Sequence, residues 1–100
     1  MTAKPNILVV DDEQQIQRAL RTILGQQNYE IRIAGSGEEG LALAAATQPD
    51  VIVLDLGLPD LNGVEVCRRL RTWTDIPVIV LSAHDSEQDK VAALDAGADD

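Results

Sequence analysis

Four short apolar runs, each followed by a helical pattern, constrain the fold of this chain more than any other feature. The runs are Ile7–Val10, Ile31–Ala34, Val51–Leu54 and Val78–Leu81. Three of them are continuous stretches of β-branched residues and Leu, which is typical of parallel strands buried on both faces. The second run alternates with Arg32 and therefore indicates an edge strand.

Helical spacing of apolar residues fills the segments between the runs. The first helix is predicted to end at Gly25, and the second to begin with a capping box formed by Ser36 and Glu39. The third follows the Asn-Gly pair at 62–63, and the fourth ends near Gly97. The residues predicted to face the core are Ile16, Ala19, Leu20, Ile23, Leu24, Leu41, Ala44, Ala45, Val64, Cys67, Leu70, Val91 and Leu94.

Alternation of strands and helices favours right-handed crossovers and a parallel sheet with helices on both faces. The simplest such architecture for 100 residues is one flavodoxin-like α/β domain, a doubly wound parallel sheet of four strands and four helices. In this strand order the first and third strands are neighbours, and ligands bind beyond their carboxyl ends.

The charge of the chain excludes several classes of partner. Its net charge is −9, with eight Lys and Arg against seventeen Asp and Glu. Because nucleic acids and anionic membranes are bound chiefly through Lys and Arg, we expect no direct nucleic-acid binding and no membrane attachment. No apolar run approaches the roughly 20 residues that span a bilayer, and Met1–Pro5 lacks the apolar stretch of a signal peptide, so we expect a cytoplasmic location. Cys67 is the only cysteine, which excludes a disulfide within the chain.

Carboxylates follow two of the predicted central strands. Asp11 and Asp12 follow the first run, and Asp55 ends the third. If these strands are neighbours, the three side chains converge, and their repulsion raises the pKa of at least one of them. Mg²⁺ would relieve the repulsion, because it favours a few carboxylates together with waters and phosphate oxygens. The alternative for Asp11 and Asp12 is that they cap the first helix.

Other polar residues have simpler interpretations. The hydroxyl of Ser82, after the fourth run, could donate a hydrogen bond to a phosphoryl oxygen, or it could cap a turn. His84 is interpreted as a solvated loop residue, and Trp73 as a packing residue at the end of the third helix. The basic cluster of Arg68, Arg69 and Arg71 is interpreted as a solvated helix face.

Three motifs, one at the end of each central strand, together resemble the receiver domain of two-component response regulators: Val9–Glu13, Leu54–Gly63 and Leu81–Ala83. Three stretches resemble its winged-helix transcription-factor subfamily, and in particular the KdpE-type regulators of potassium uptake: Leu56–Asp60, Pro77–Ala83 and Asp89–Asp100. The resemblance spans residues 7–100.

The resemblance implies a role for each site residue. Asp55 would be the phosphoacceptor, receiving a phosphoryl group from a sensor histidine kinase. Asp12, Asp55 and the Gly57 carbonyl would bind Mg²⁺ directly, Asp11 would bind it through a water, and Ser82 would hold a phosphoryl oxygen. The chain would not be an enzyme beyond self-phosphorylation from a phosphodonor and autodephosphorylation.

The family pattern continues past Asp100 with a fifth strand and helix of roughly 20 residues. We therefore expect residues 1–100 to form a receiver domain without that C-terminal unit or an output domain. Val78–Leu81 would then be an uncovered strand edge through which the chain self-associates.

Two other functions remain open at this point. The first is a truncated, non-switching interaction module with a receiver-like fold, which binds metal but is not efficiently phosphorylated. The second is a magnesium phosphohydrolase acting on small molecules. The latter is disfavoured because position 57 is glycine and the Asp-x-Asp arrangement at the nucleophile is absent.

Overall fold

The computed structural model describes residues 4–81, 91–92 and 94–99. Its elements in chain order are β1 (Asn6–Val10), α1 (Gln14–Gln26), β2 (Glu30–Ala34), α2 (Gly37–Thr47), β3 (Val51–Asp55), α3 (Gly63–Arg71) and β4 (Val78–Leu81). The strands form one parallel sheet in the order β2-β1-β3-β4. The predicted flavodoxin-like order is confirmed, with β2 at an edge and β1 beside β3.

The predicted fourth helix falls largely outside the described residues. Within the described part, residues 91–92 and 94–95 are helical, but the prediction that Val91 and Leu94 face the core was wrong, since they are 53% and 51% exposed. Gly97 follows with a φ of +115°, a value that suits glycine at the end of a helix. Within the described residues, no helix combines the length and the apolar character that crossing a bilayer requires.

The core is aliphatic and lies against the two central strands. Its largest fully buried side chains are Leu8, Ile52, Leu54, Leu70, Val9, Val10, Val66 and Val78, with Cys67 buried among them as predicted. The prediction that both faces are buried was wrong for β3 and β4, because Val51 and Val53 are only half-buried and Ile79 and Leu81 are exposed.

The predicted core faces of the first two helices need correction. No residue of α1 is buried, and Ile23 is 57% exposed, because β2 is the only described element that α1 contacts extensively. In α2, Ala44 is buried and Leu41 half-buried, but Ala45 is exposed. This helix instead approaches β1 through Gly40, where a Cβ would lie 2.8 Å from Val10 Cγ2, whereas Gly37 is buried against Leu61 and Val66.

The predicted start of α2 is confirmed, whereas α3 begins one residue earlier than predicted, at Gly63, and α1 ends one residue later than predicted. Ser36 accepts a hydrogen bond from the Glu39 N–H at 3.2 Å, while the Glu39 carboxylate accepts one from the Gly35 N–H at 2.6 Å. Helix α1 continues past Gly25 to Gln26. The left-handed conformation that follows the helix lies at Asn28 and not at Gly25, because Asn28 has a φ of 66° and asparagine tolerates the left-handed region.

The interpretation of Arg71 as a solvated residue was wrong, whereas Arg68 and Arg69 are exposed as predicted. The Arg71 side chain is 20% exposed and forms an ion pair with Asp99 at 3.0 Å. Its guanidinium also donates to three backbone carbonyl oxygens, those of Gly97, Thr74 and Ile76. Arg71 therefore joins the end of α3 to the segment that precedes β4 and to residues 97–99, so its burial is compensated by hydrogen bonds.

Candidate metal centre

The central strands bring three carboxylates together at their carboxyl ends. Val10 of β1 pairs with Leu54 of β3, so Asp11 and Asp55 are the next residues on adjacent parallel strands. One carboxylate oxygen from each of Asp11, Asp12 and Asp55 lies within 4.8 Å of the other two. The convergence predicted from the sequence is therefore confirmed.

The backbone around Asp11 is held by three hydrogen bonds. Its N–H donates to the Ala34 carbonyl oxygen at 3.0 Å, and its own carbonyl oxygen accepts from the Gln17 side chain at 2.6 Å. Its Oδ1 accepts from the Glu13 N–H at 2.8 Å. Glu13 is the N-cap residue of α1, and its side chain makes no capping bond. The fixed backbone leaves Asp11 buried, at 5% exposure, while Asp12 next to it is exposed.

The electrostatics of the cluster favour a cation. Burial raises the pKa of Asp11, and the charges of Asp55, Glu13 and Asp12 raise it further, against the hydrogen bond from the Glu13 N–H that lowers it. In the described part of the chain, no Lys or Arg forms an ion pair with any of the three clustered aspartates. Oxygen ligands of this kind are those that Mg²⁺ prefers, so the residues present fit this ion.

The loop that follows Asp55 adds a further group to the cluster. The Gly57 N–H donates to Asp55 Oδ1 at 3.2 Å. A Cβ at position 57 would lie 4.0 Å from both carboxylate oxygens, so the backbone of Gly57 passes beside the carboxylate. Gly57 is also exposed, which leaves this side of the site open to water and to an incoming ligand.

Ser82 and His84 lie outside the described residues. Leu81, which precedes Ser82 in the chain, pairs with Asp55 across β3 and β4. The role of Ser82 therefore stays a prediction.

We expect Asp11→Asn to stabilise the metal-free protein by about 2 kcal/mol at neutral pH. Two unit charges about 5 Å apart repel each other by about 3 kcal/mol at an effective dielectric constant of about 20, and solvent reduces this value. The oxygen of the introduced carboxamide can still accept the Glu13 N–H. Urea unfolding in EDTA measures the change, and saturating Mg²⁺ should abolish the advantage of the variant. The exposed Asp75, changed to Asn, is the control for the loss of one charge.

The pH dependence of this difference has a defined sign. Because the pKa of Asp11 is raised in the folded state, its protonated form favours folding. That contribution is fully present below the unfolded pKa, near 3.8, and is lost as the pH rises through the higher folded pKa. In EDTA, the stability advantage of Asp11→Asn should therefore appear as the pH rises through this window. An advantage that instead grew towards low pH would contradict the assignment.

Comparison with known proteins finds one matching family and relatives that are response regulators or transcriptional regulators. Residues 7–100 match the response regulator receiver domain. The chain is 55% identical over 95 residues to the KDP operon transcriptional regulatory protein KdpE of Escherichia coli, covering 95% of this chain and 42% of that protein. It is 50% identical over 95 residues to the response regulator MprA of Mycolicibacterium vanbaalenii, covering 94% and 41%. The chain thus spans less than half of these relatives.

A solved structure is similar over nearly the whole chain. The receiver domain of a Francisella response regulator superposes with a TM-score of 0.89 at 36% identity, covering 97% of this chain and 81% of that one. At this level of identity the similarity extends to sequence as well as to the order of strands.

Proposed function

The chain belongs to the response regulator receiver domain family, and from this premise we propose that Asp55 accepts a phosphoryl group with the help of Mg²⁺. Residues 1–100 act as one receiver domain in this proposal. The observation that carries it is the convergence of Asp11, Asp12 and Asp55 within 4.8 Å at the end of the central strands. Such a cluster neutralises a divalent cation and presents a carboxylate as nucleophile.

The ligands of the ion are assigned as follows. Asp12, Asp55 and the carbonyl oxygen of Gly57 would bind Mg²⁺ directly, and Asp11 would bind it through a water. The exposure of Asp12 and the position of Gly57 beside the Asp55 carboxylate support the direct ligands. The indirect role of Asp11 is supported by the Glu13 N–H, which already occupies its Oδ1.

Phosphorylation is a transfer between two nucleophiles. A carboxylate oxygen of Asp55 attacks phosphorus in line, the new P–O bond forms, and the P–N bond of a phosphohistidine breaks with its electron pair passing to the imidazole nitrogen. The Gly57 N–H fixes the orientation of the carboxylate through Oδ1. Bound Mg²⁺ would supply neutralisation of the charge between the carboxylate and the phosphoryl oxygens. The Ser82 hydroxyl holds one phosphoryl oxygen, and later attack of water on the acyl phosphate releases inorganic phosphate.

The phosphodonor in this proposal is a sensor histidine kinase, and the chain acts in the cytoplasm. Its net charge of −9 disfavours direct contact with nucleic acid. By similarity to KdpE, the protein that carries this domain regulates transcription, including that of potassium transport. Self-association through the edge at Val78–Leu81 remains part of the proposal, supported by Ile79 at 41% and Leu81 at 38% exposure.

Labelling by acetyl phosphate tests the proposed function. We expect a mass increase of one phosphoryl group when Mg²⁺ is present and none when EDTA removes it, because the carboxylates and the phosphodonor are all anionic. Intact-protein mass spectrometry at neutral pH measures the fraction labelled. Equal labelling in Mg²⁺ and EDTA would contradict the metal-assisted reaction.

Beryllofluoride separates the receiver from the interaction module that does not switch. With Mg²⁺ and beryllofluoride, a receiver should shift the amide resonance of Gly57, whose N–H touches Asp55. Trp73 is a poorer probe, because it is 47% exposed and follows the end of α3 that is remote from the site. A spectrum unchanged by beryllofluoride would favour the interaction module, and steady hydrolysis of small phosphate esters would favour the phosphohydrolase.

A further inference from the structure

The loop between β3 and α3, residues 56–62, is tied to the start of α2 by one carboxylate. Asp60 Oδ1 accepts from the Gly37 N–H at 2.7 Å, and its Oδ2 accepts from the Glu38 N–H at 2.9 Å. The first N–H groups of a helix have no partner within the helix, so the two oxygens satisfy two of them from a distant part of the chain. These bonds also lower the pKa of Asp60, which keeps both oxygens available as acceptors at neutral pH.

Side-chain packing at the same place adds to the two hydrogen bonds between Asp60 and α2. A Cβ at Gly37 would lie 2.9 Å from the Leu61 Cβ, so the helix start and the loop are in direct contact. A second hydrogen bond joins the two ends of the loop, since the Gly63 N–H donates to the Leu56 carbonyl oxygen at 3.2 Å. Gly57 therefore lies between two residues whose positions are fixed by hydrogen bonds, Leu56 and Asp60.

The start of α2 also supports the strand that carries the other two carboxylates. A Cβ at Gly40 would lie 2.8 Å from Val10 Cγ2, and Val10 precedes Asp11. The Asp11 N–H donates to the Ala34 carbonyl oxygen, two residues before the Ser36 cap. One helix terminus thus contacts both chain segments from which the metal ligands come.

We propose that Asp60 is a positioning residue for the metal centre. Asp60 fastens the loop to α2 and thereby holds the Gly57 carbonyl and the Asp55 carboxylate where Mg²⁺ requires them, without contacting the ion itself. The inference rests on the proposed function, since it concerns the same metal ligands. Groups that orient metal ligands from outside the coordination shell are commonly worth 10- to 100-fold in metal affinity.

The test is calorimetric titration of Mg²⁺ into the folded protein. Asp60→Asn removes one of the two acceptors, and we expect the dissociation constant to rise about 10-fold. Asp60→Glu keeps the charge but lengthens the side chain, and its affinity should fall between those of the wild type and Asp60→Asn. Comparing the two variants separates the effect of the carboxylate's position from the effect of its charge. Asp75→Asn, which removes one exposed charge on the loop before β4, should bind as the wild type does.

A second measurement reports on the hydrogen bonds between Asp60 and the start of α2. Amide hydrogen exchange at Gly37 and Glu38 should quicken in Asp60→Asn, while circular dichroism checks that the fold is kept. If Asp60→Asn does not fold, the comparison of Asp60→Glu with the wild type decides the question. Affinities of folded Asp60 variants equal to that of Asp75→Asn would overturn the inference.

The outcome for Asp60 can be distinguished from failure of the proposed function. If the wild type binds no Mg²⁺, or binds it no better than Asp55→Asn does, the metal centre itself is wrong. If the wild type binds Mg²⁺, Asp55→Asn does not, and both Asp60 variants match the wild type, only the positioning role is wrong.

Discussion

We expect Asp55→Asn to abolish labelling by acetyl phosphate in the presence of Mg²⁺, with a loss of at least about 100-fold relative to the wild type. The carboxamide carries no negative charge, and its oxygen is too weak a nucleophile to attack phosphorus. The variant also removes one of the three clustered carboxylate charges, so Mg²⁺ binding should weaken in the same protein. Mass spectrometry of the intact chain measures the first effect, and calorimetry measures the second.

The geometry makes this substitution a clean test. The carboxamide introduced by Asp55→Asn keeps an oxygen that can accept the Gly57 N–H, so the loop after β3 loses no hydrogen bond. Asp75→Asn again serves as the control, because it changes the net charge equally at an exposed position outside the acidic cluster. Undiminished labelling of Asp55→Asn, mapped by peptide analysis to Asp11 or Asp12, would assign the phosphoacceptor to a different carboxylate.

The parts of the site that could be predicted from the sequence are those that depend on strand order. Parallel strands end at the same edge of a sheet, and β1 and β3 are neighbours in the simplest winding of this chain. The position of Asp11 and Asp55 after two buried runs was therefore enough to predict that the two carboxylates lie close together. Which of the two neighbouring residues is buried could not be predicted. The burial of Asp11 and the exposure of Asp12 depend on local backbone hydrogen bonds, which the sequence pattern does not reveal.

Contacts between distant residues account for what was missed. Arg71 bonds to Gly97 and Asp99, which are 26 and 28 residues away, so its helix position alone suggested a solvated side chain. The contact of Asp60 was not predicted, because its two partners lie on α2, 22 and 23 residues earlier. The sequence did contain one indication of the contact between Asp60 and α2. Glycine is unfavourable in a helix, so Gly37 at the start of α2 indicates that another group approaches closely there.

Gly63→Ala should destabilise the protein by about 3 kcal/mol, the upper end of what one added methyl group costs in a tightly packed site. Gly63 is the buried first residue of α3. A Cβ there would lie 2.7 Å from the Leu56 Cα and 2.9 Å from the Asp55 carbonyl oxygen. Both are backbone atoms, so the clash cannot be relieved by rotation of a side chain. Urea unfolding measures the loss.

Because the atoms that must move belong to Asp55 and Leu56, the same methyl group should also weaken Mg²⁺ binding by displacing the carboxylate. Gly25→Ala is the matched control: Gly25 lies inside α1, and a Cβ there meets nothing within 4 Å. That change should stabilise the protein by about 0.5–1 kcal/mol, through the higher helix propensity of alanine, and leave Mg²⁺ affinity unchanged. Equal stabilities for the two variants would mean that α3 can withdraw from β3 at little cost. The contact between Gly63 and Asp55 would then not fix the geometry of the metal centre, and the loop would be positioned from α2 alone.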